Sequence, residues 1–303
     1  MRTRIYPEYW KMKMTLRTQI CFELSKRFMP PPPKKTIDYS AYDSWRSESL
    51  SKSWNAFTNV DLSNKKILDF GCGDGQLTFF LASKGVSQIT GVDISETAIN
   101  NANKKLNSYE PPMGVEIDFK IGTTEKLPFE DNSFDMIVAF DCMEHVMEPG
   151  AILKDWFRVL KPGGRCLVEW YPYKGPWGPH MEALIPIPWA HVIFGEEAMF
   201  RAAERIYDLP EFIPRHWDLD ENGKKKPNKW KKWSSFEEQN YINKLDVSEF
   251  KKLCNHVGFK VERLEHHSFS GSLIRRLAGK TLMNLPFIGE YFISYTIFEI
   301  VKP

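Results

Sequence analysis

At 303 residues, 42% hydrophobic and 26% charged, the chain can bury a sizeable core and has the composition of an ordinary globular protein. Its formal net charge of +2 is too small to mark a nucleic-acid binder, and no run of 18 apolar residues is present to span a membrane. Cys21, Cys72, Cys142, Cys166 and Cys254 are odd in number and widely spaced, which excludes a disulfide framework and predicts a reducing, cytoplasmic compartment.

Residues 1–35 hold nine Lys/Arg against two Glu, a local charge of +7 that leaves −5 on the remainder. Within this basic head Leu16, Ile20, Leu24 and Phe28 recur at four-residue spacing and predict an amphipathic helix. The run Pro30–Pro33 stops it and predicts a stiff linker. Such a head suits peripheral contact with a membrane surface or an acidic partner, and equally a solvated helix face. Neither a signal peptide nor an organellar transit segment is expected, because the first 20 residues lack an apolar run and contain no serine.

The segment from Tyr39 to Phe57 is aromatic and polar and reads as helical from about Asp43. From residue 65 onward, apolar runs of strand length fall at Lys66–Phe70, Gln88–Val92, Val115–Ile121, Met136–Phe140 and Arg165–Trp170. Helical patterns separate them at Gln76–Lys84, Glu96–Leu106 and Ala151–Leu160, with Lys161-Pro162-Gly163-Gly164 turning the chain into the fifth strand. The rhythm breaks over about 171–245, a stretch rich in Trp, Pro and charge. It resumes with a helix at Val247–His256, a strand at Phe259–Leu264, an amphipathic segment at about 270–292 and a last strand at Tyr295–Val301. Strand–helix alternation of this kind predicts an α/β fold with a doubly wound, mostly parallel sheet. The domain expected is 36–303, with a cap insertion at 171–245.

The motif Asp69-Phe70-Gly71-Cys72-Gly73-Asp74-Gly75 follows the first strand. It lacks the Lys of a triphosphate loop, and its third glycine falls one residue too early for the dinucleotide fingerprint. The glycines still permit a tight turn and close approach of a ligand. Asp93 ends the second strand, where a carboxylate can accept two hydrogen bonds from a ribose diol. Together they predict a ribose-bearing cofactor.

With Gly91-Val92-Asp93-Ile94-Ser95, Gly122–Phe129, Asn132-Ser133-Phe134-Asp135 and Leu160–Gly164 in the same order, the chain resembles the class I S-adenosylmethionine-dependent methyltransferases. The match is close over about 60–170 and holds in outline over 245–303. The resemblance implies a Rossmann-like, seven-stranded sheet whose last strand is antiparallel, and S-adenosylmethionine as the cofactor. It implies that Asp69, Gly71, Cys72, Gly73 and Gly75 face the methionine part, Asp93 the ribose, and Ile94, Thr123, Thr124 and Glu125 the adenine. An Asp is usual where Thr123 stands. Asp141 and Cys142 would border the sulfonium.

Methyl transfer from a sulfonium mainly requires alignment in a dry pocket, and an oxygen acceptor also needs a base. Asp141, Glu144 and His145 share one face if their turn is helical. Three readings stand: a divalent metal site, His145 as general base, or a helix cap beside the cofactor; a metal is not expected. His180, in the aromatic stretch after the fifth strand, is a second candidate base. The expected acceptor is a small-molecule or lipid-like compound methylated on oxygen. The alternatives are an RNA or protein methyltransferase and a non-catalytic cofactor-binding scaffold, with no nucleic-acid partner expected.

Overall fold

The computed structural model describes residues 15–124, 126–269 and 273–303. The described residues divide into two compact units, one drawn from Pro33–Pro179 and Asn240–Pro303, the other from residues 15–32 and His180–Gln239. The smaller unit holds α1 (Leu16–Phe28), α7 (Ala190–Ile193), α8 (Glu196–Tyr207) and α9 (Phe236–Gln239). The larger holds α2 (Lys34–Ile37), α3 (Tyr39–Trp54), α4 (Gln76–Ala82), α5 (Glu96–Leu106), α6 (Pro149–Val159), α10 (Val247–Val257) and α11 (Leu273–Met283).

A seven-stranded sheet organises the larger unit. Its strands are β1 (Lys66–Phe70), β2 (Gln88–Asp93), β3 (Glu116–Ile121), β4 (Phe134–Phe140), β5 (Leu160–Trp170), β6 (Lys260–His267) and β7 (Tyr295–Val301), in the order β3-β2-β1-β4-β5-β7-β6. β1 to β5 pair in parallel and β7 runs antiparallel to both its neighbours. This is the doubly wound, Rossmann-like sheet with one reversed strand that the sequence implies.

Period-two alternation decides which residues face which helix layer. Ile67, Met136, Val138, Leu167 and Ile297 pack with Leu50 and Trp54 of α3 and with Leu77 and Leu81 of α4. Their neighbours Leu68, Ile137, Cys166, Val168 and Phe298 pack on the other face with Trp156 of α6 and Phe250 of α10. Helix ends follow their sequence signals. Ser95 Oγ accepts the Ala98 N–H (3.3 Å), Asp246 accepts the Glu249 N–H (2.8 Å), and Asp38 accepts the Ser40 N–H (2.9 Å). Each such cap stabilises its helix by about 1 kcal/mol.

Three sequence expectations change. In α1 the Leu16/Ile20/Phe28 register points outward, with Leu16 72% exposed, and the buried positions are Thr18, Cys21, Phe22 and Ser25. Packing of α1 against α8 selects that face over the longer apolar one. Next, Lys161–Gly164 lies inside β5 instead of preceding it. Leu160 pairs with Phe134, the register then shifts, and Gly163 takes φ 75° to accommodate the irregularity. The stretch around residue 200 also contains the 12-residue helix α8, whose buried face runs Met199, Ala202, Ala203, Ile206 at helical spacing.

The glycine turn after β1 is constrained twice. Gly71 has φ 73°, and a Cβ there would stand 2.7 Å from Cys142 Cβ; Gly163 has φ 75° but a Cβ there meets no atom within 4 Å. Gly163→Ala is therefore expected to cost about 1 kcal/mol from backbone strain, and Gly71→Ala about 2–4 kcal/mol because overpacking adds to it. Urea denaturation measures both; equal losses would show that close packing against Cys142 does not constrain the turn.

Candidate cofactor and active site

The strand order reverses between β1 and β4, and ligands in doubly wound sheets bind at the carboxyl ends of strands at such a switch point. A cavity of about 170 Å³ lies there, bounded by Asp69, Gly71 and Gly73 after β1, Phe140 at the end of β4, and Tyr42 and Arg46 of α3. The turn opens by left-handed backbone at Gly71, Gly73 and Gly75 (φ 73°, 53° and 84°), which side chains other than glycine resist. A Cβ on Gly73 would meet no protein atom within 4 Å, whereas one on Gly75 would strike the Phe119 ring at 2.7 Å. Gly73 is thus the open point of the cradle, and Gly71 and Gly75 are glycine for packing.

Asp93 fixes this shape. Its Oδ2 accepts the Gly73 N–H (2.9 Å) and its Oδ1 accepts the Ser95 N–H (2.8 Å). Each oxygen keeps a further lone pair, so the carboxylate can still accept from a diol. Ile94 beside it is 65% exposed. Thr123 turns its hydroxyl into its own loop, donating to the Lys126 carbonyl (2.6 Å) and accepting the Lys126 N–H (3.0 Å); Thr124 is exposed, and Glu125 lies outside the described residues.

Asp69 is 1% exposed and accepts the Thr78 hydroxyl (2.6 Å). Burial pushes its carboxyl up to about 7, against the opposing pull of Thr78 and Arg46. Cys72 and Cys142 are buried, and burial pushes both thiols well above their usual range, so they are packing groups rather than nucleophiles. The Cys142 thiol donates to the Phe70 carbonyl (3.3 Å).

The helix α3 contributes residues that the motif reading misses. Tyr39 bonds Asp74, Asp43 accepts from Gln76 (2.8 Å) and Lys105 (2.6 Å), and Arg46 pairs with Asp141. Tyr42, Arg46 and Leu50 all line the cavity, at four-residue spacing. That spacing was the available signal; the segment carries no glycine motif to draw attention to it.

The residues after β4 do not form the helical turn that would align Asp141, Glu144 and His145. Asp141 is in left-handed backbone (φ 52°) and turns its carboxylate to Arg46, and a 3-10 turn begins only at Met143. Asp141 Oδ1 is buried with no hydrogen-bond partner among the described residues. Glu144 is 2% exposed, and burial together with neighbouring Asp141 raises its carboxyl far above its ordinary range. His145 Nδ1 lies 3.0 Å from the Tyr241 carbonyl, an acceptor only, so Nδ1 carries the proton and Nε2 the lone pair. Burial lowers its pKa below 6.5 and keeps the ring neutral. His180 belongs to the smaller unit.

The glycine cradle, Asp93 and the cavity define a cofactor site of the nucleoside-binding type. Residues 68–168 match the family described as a methyltransferase domain. Ubiquinone biosynthesis O-methyltransferase of Pseudomonas putida (strain W619) is 36% identical over 107 residues, covering 35% of this chain and 44% of that one. The protein of the same name from Stutzerimonas stutzeri (strain A1501) is 33% identical over 157 residues, covering 51% and 61%. The chain thus spans about half the length of the curated relatives it matches. A SAM-dependent methyltransferase structure from Methanosarcina mazei aligns at 20% identity and TM-score 0.49, covering 82% of this chain and 96% of the other. The match to a methyltransferase domain implies S-adenosylmethionine as cofactor. The residues fit it: the Gly73 cradle is open, Asp93 keeps acceptor capacity, and the Asp141 oxygen that has no partner among the described residues suits a nearby cation.

Asp69 yields a stability prediction. Its folded pKa is raised to about 7 from 3.8, so its stabilising contribution is complete below pH 3.8 and is lost as pH rises towards and through 7. Asp69→Asn keeps the Thr78 bond and should flatten the change in stability between pH 4 and 7 contributed by this group, by about 1 kcal/mol or more. Urea midpoints across that range measure it; an unchanged slope would mean Asp69 is ionised in the folded protein.

Proposed function

We propose that the chain is an S-adenosylmethionine-dependent methyltransferase whose acceptor is a small, lipid-like molecule methylated on oxygen. The observation that supports it most is the pairing of the open Gly73 cradle with the Asp93 carboxylate beside a cavity lined by Tyr42 and Arg46. The cofactor, when bound, supplies a methyl group on a sulfonium that needs no further activation. Asp93 holds ribose hydroxyls, Arg46 offers a guanidinium to the methionine carboxylate, and Asp141 and Arg46 balance charge near the transfer point.

His145 is the base in this reading. Its Nδ1–H is committed to the Tyr241 carbonyl, which fixes the tautomer and makes Nε2 the atom that would take the acceptor's proton. Burial keeps it neutral and therefore competent. That the relatives are named ubiquinone biosynthesis O-methyltransferases supports an oxygen acceptor. A lipid-like acceptor also suits a chain that works from the cytoplasm in peripheral contact with a membrane, and nucleic acid has no part in it.

The test is transfer of labelled methyl from S-adenosylmethionine to a catechol bearing a hydrophobic tail, followed by mass spectrometry. The labelled ether is expected. His145→Gln should lower kcat about 100-fold or more with little change in cofactor affinity. Because the folded pKa of His145 lies below 6.5, activity should hold as pH falls through 6.5 and decline only below it. Label on RNA or nitrogen, or a His145→Gln enzyme with unchanged rate and acid limb, would overturn the assignment.

A further inference from the structure

The surface made by α11 and the turn after it is independent of the cofactor site and has an unusual composition. Ile274 is 80% exposed, Leu277 56%, Phe287 100% and Ile288 47%. Ile274, Leu277, Ala278 and Thr281 fall at helical spacing on one stripe, and all are exposed. Gly279 and Met283 occupy the opposite side. A Cβ on Gly279 would stand 2.2 Å from Ser268 Oγ, and Met283 packs against the core. The apolar stripe therefore faces away from the protein because the helix is seated by its other side.

The seating is firm. A Cβ on Gly289 would lie 2.2 Å from the Met283 carbonyl oxygen, so the turn returns tightly onto the helix end. Glu290 next to it bonds Lys174 (3.1 Å), which also bonds Asp246 (2.5 Å). At the tip, Phe287 takes φ 67°, a conformation costly for an aromatic residue, and that backbone presents a fully exposed ring. An exposed apolar surface held by packing, ion pairs and strained backbone needs an occupant.

Charge identifies the occupant. From Leu273 to Gly289 the sequence has no Asp or Glu and carries Arg275, Arg276 and Lys280, all exposed. Arg275 lies to one side of the apolar stripe and Arg276 with Lys280 to the other. An apolar stripe bordered by cations complements an anionic lipid bilayer, with hydrocarbon at the centre and headgroup phosphates at the edges. We infer that α11 and the Pro286–Ile288 turn form a membrane-docking element for anionic phospholipid surfaces, with Phe287 as its inserted tip.

Flotation of the full chain with vesicles tests this, comparing phosphatidylcholine alone with phosphatidylcholine plus phosphatidylglycerol. Binding to the anionic vesicles and its weakening by salt are expected. The triple variant R275E/R276E/K280E and the double variant L277S/F287S should each lower the apparent affinity at least about tenfold. Their unfolding midpoints and S-adenosylmethionine affinities should match the parent, which separates docking from folding and from the cofactor reading. Equal binding to both vesicle types, absence of binding, or binding retained in both variants would overturn the proposal. Self-association lost in L277S/F287S without vesicle binding would overturn it in favour of a second copy of the chain.

Discussion

One contact orders the candidate site: the Asp93 carboxylate receiving the Gly73 N–H. It ties the turn after β1 to the end of β2 across neighbouring strands. Ionised acceptors make strong, directional bonds to backbone N–H groups, so the turn is held open rather than collapsed onto the sheet. The left-handed glycines make that path accessible, and Cys142 closes one side by packing where Gly71 has no side chain. The same carboxylate retains lone pairs for a ligand, so the bond that shapes the cradle also offers it a polar edge.

Burial sets the electrostatics around this contact. Asp69, Glu144 and Glu169 all have raised pKa values, with loss of hydration as the leading cause and Glu169 reaching about 7. Arg46 is the cation that enters this acidic neighbourhood from α3, and it pairs with Asp141. A buried pair of this sort contributes little net stability, because desolvation offsets attraction, but it fixes orientation. A cationic ligand entering beside these acids gains from the same field, which is the physical argument for a sulfonium over a phosphate. His145 lies in the same environment, where burial keeps its imidazole neutral while the Tyr241 carbonyl sets its tautomer.

Most of the sheet was legible in the sequence, because strand-length apolar runs with period-two burial leave a direct record; β1 and β7 fall at their expected bounds. The glycine turn and Asp93 were legible for a different reason, since left-handed backbone and a strand-end carboxylate have few substitutes. Tyr42 and Arg46 were not, as their roles depend on where α3 lies against the β1 turn, a long-range fact without a local motif. The α1 face was misread because α8 decides which side is buried, and a four-residue apolar register cannot report a partner. Asp141, Glu144 and His145 would share one face only on a helical turn, and the left-handed backbone at Asp141 departs from one.

Calorimetric titration of the protein and of Asp93→Ala with S-adenosylmethionine, its demethylated product and NAD bears most directly on the cofactor site. Binding of both sulfur compounds to the parent protein, weakened about tenfold or more in Asp93→Ala, and no binding of NAD is the expected result. Binding of NAD with neither sulfur compound, or affinity for S-adenosylmethionine unaffected by Asp93→Ala, would contradict the assignment.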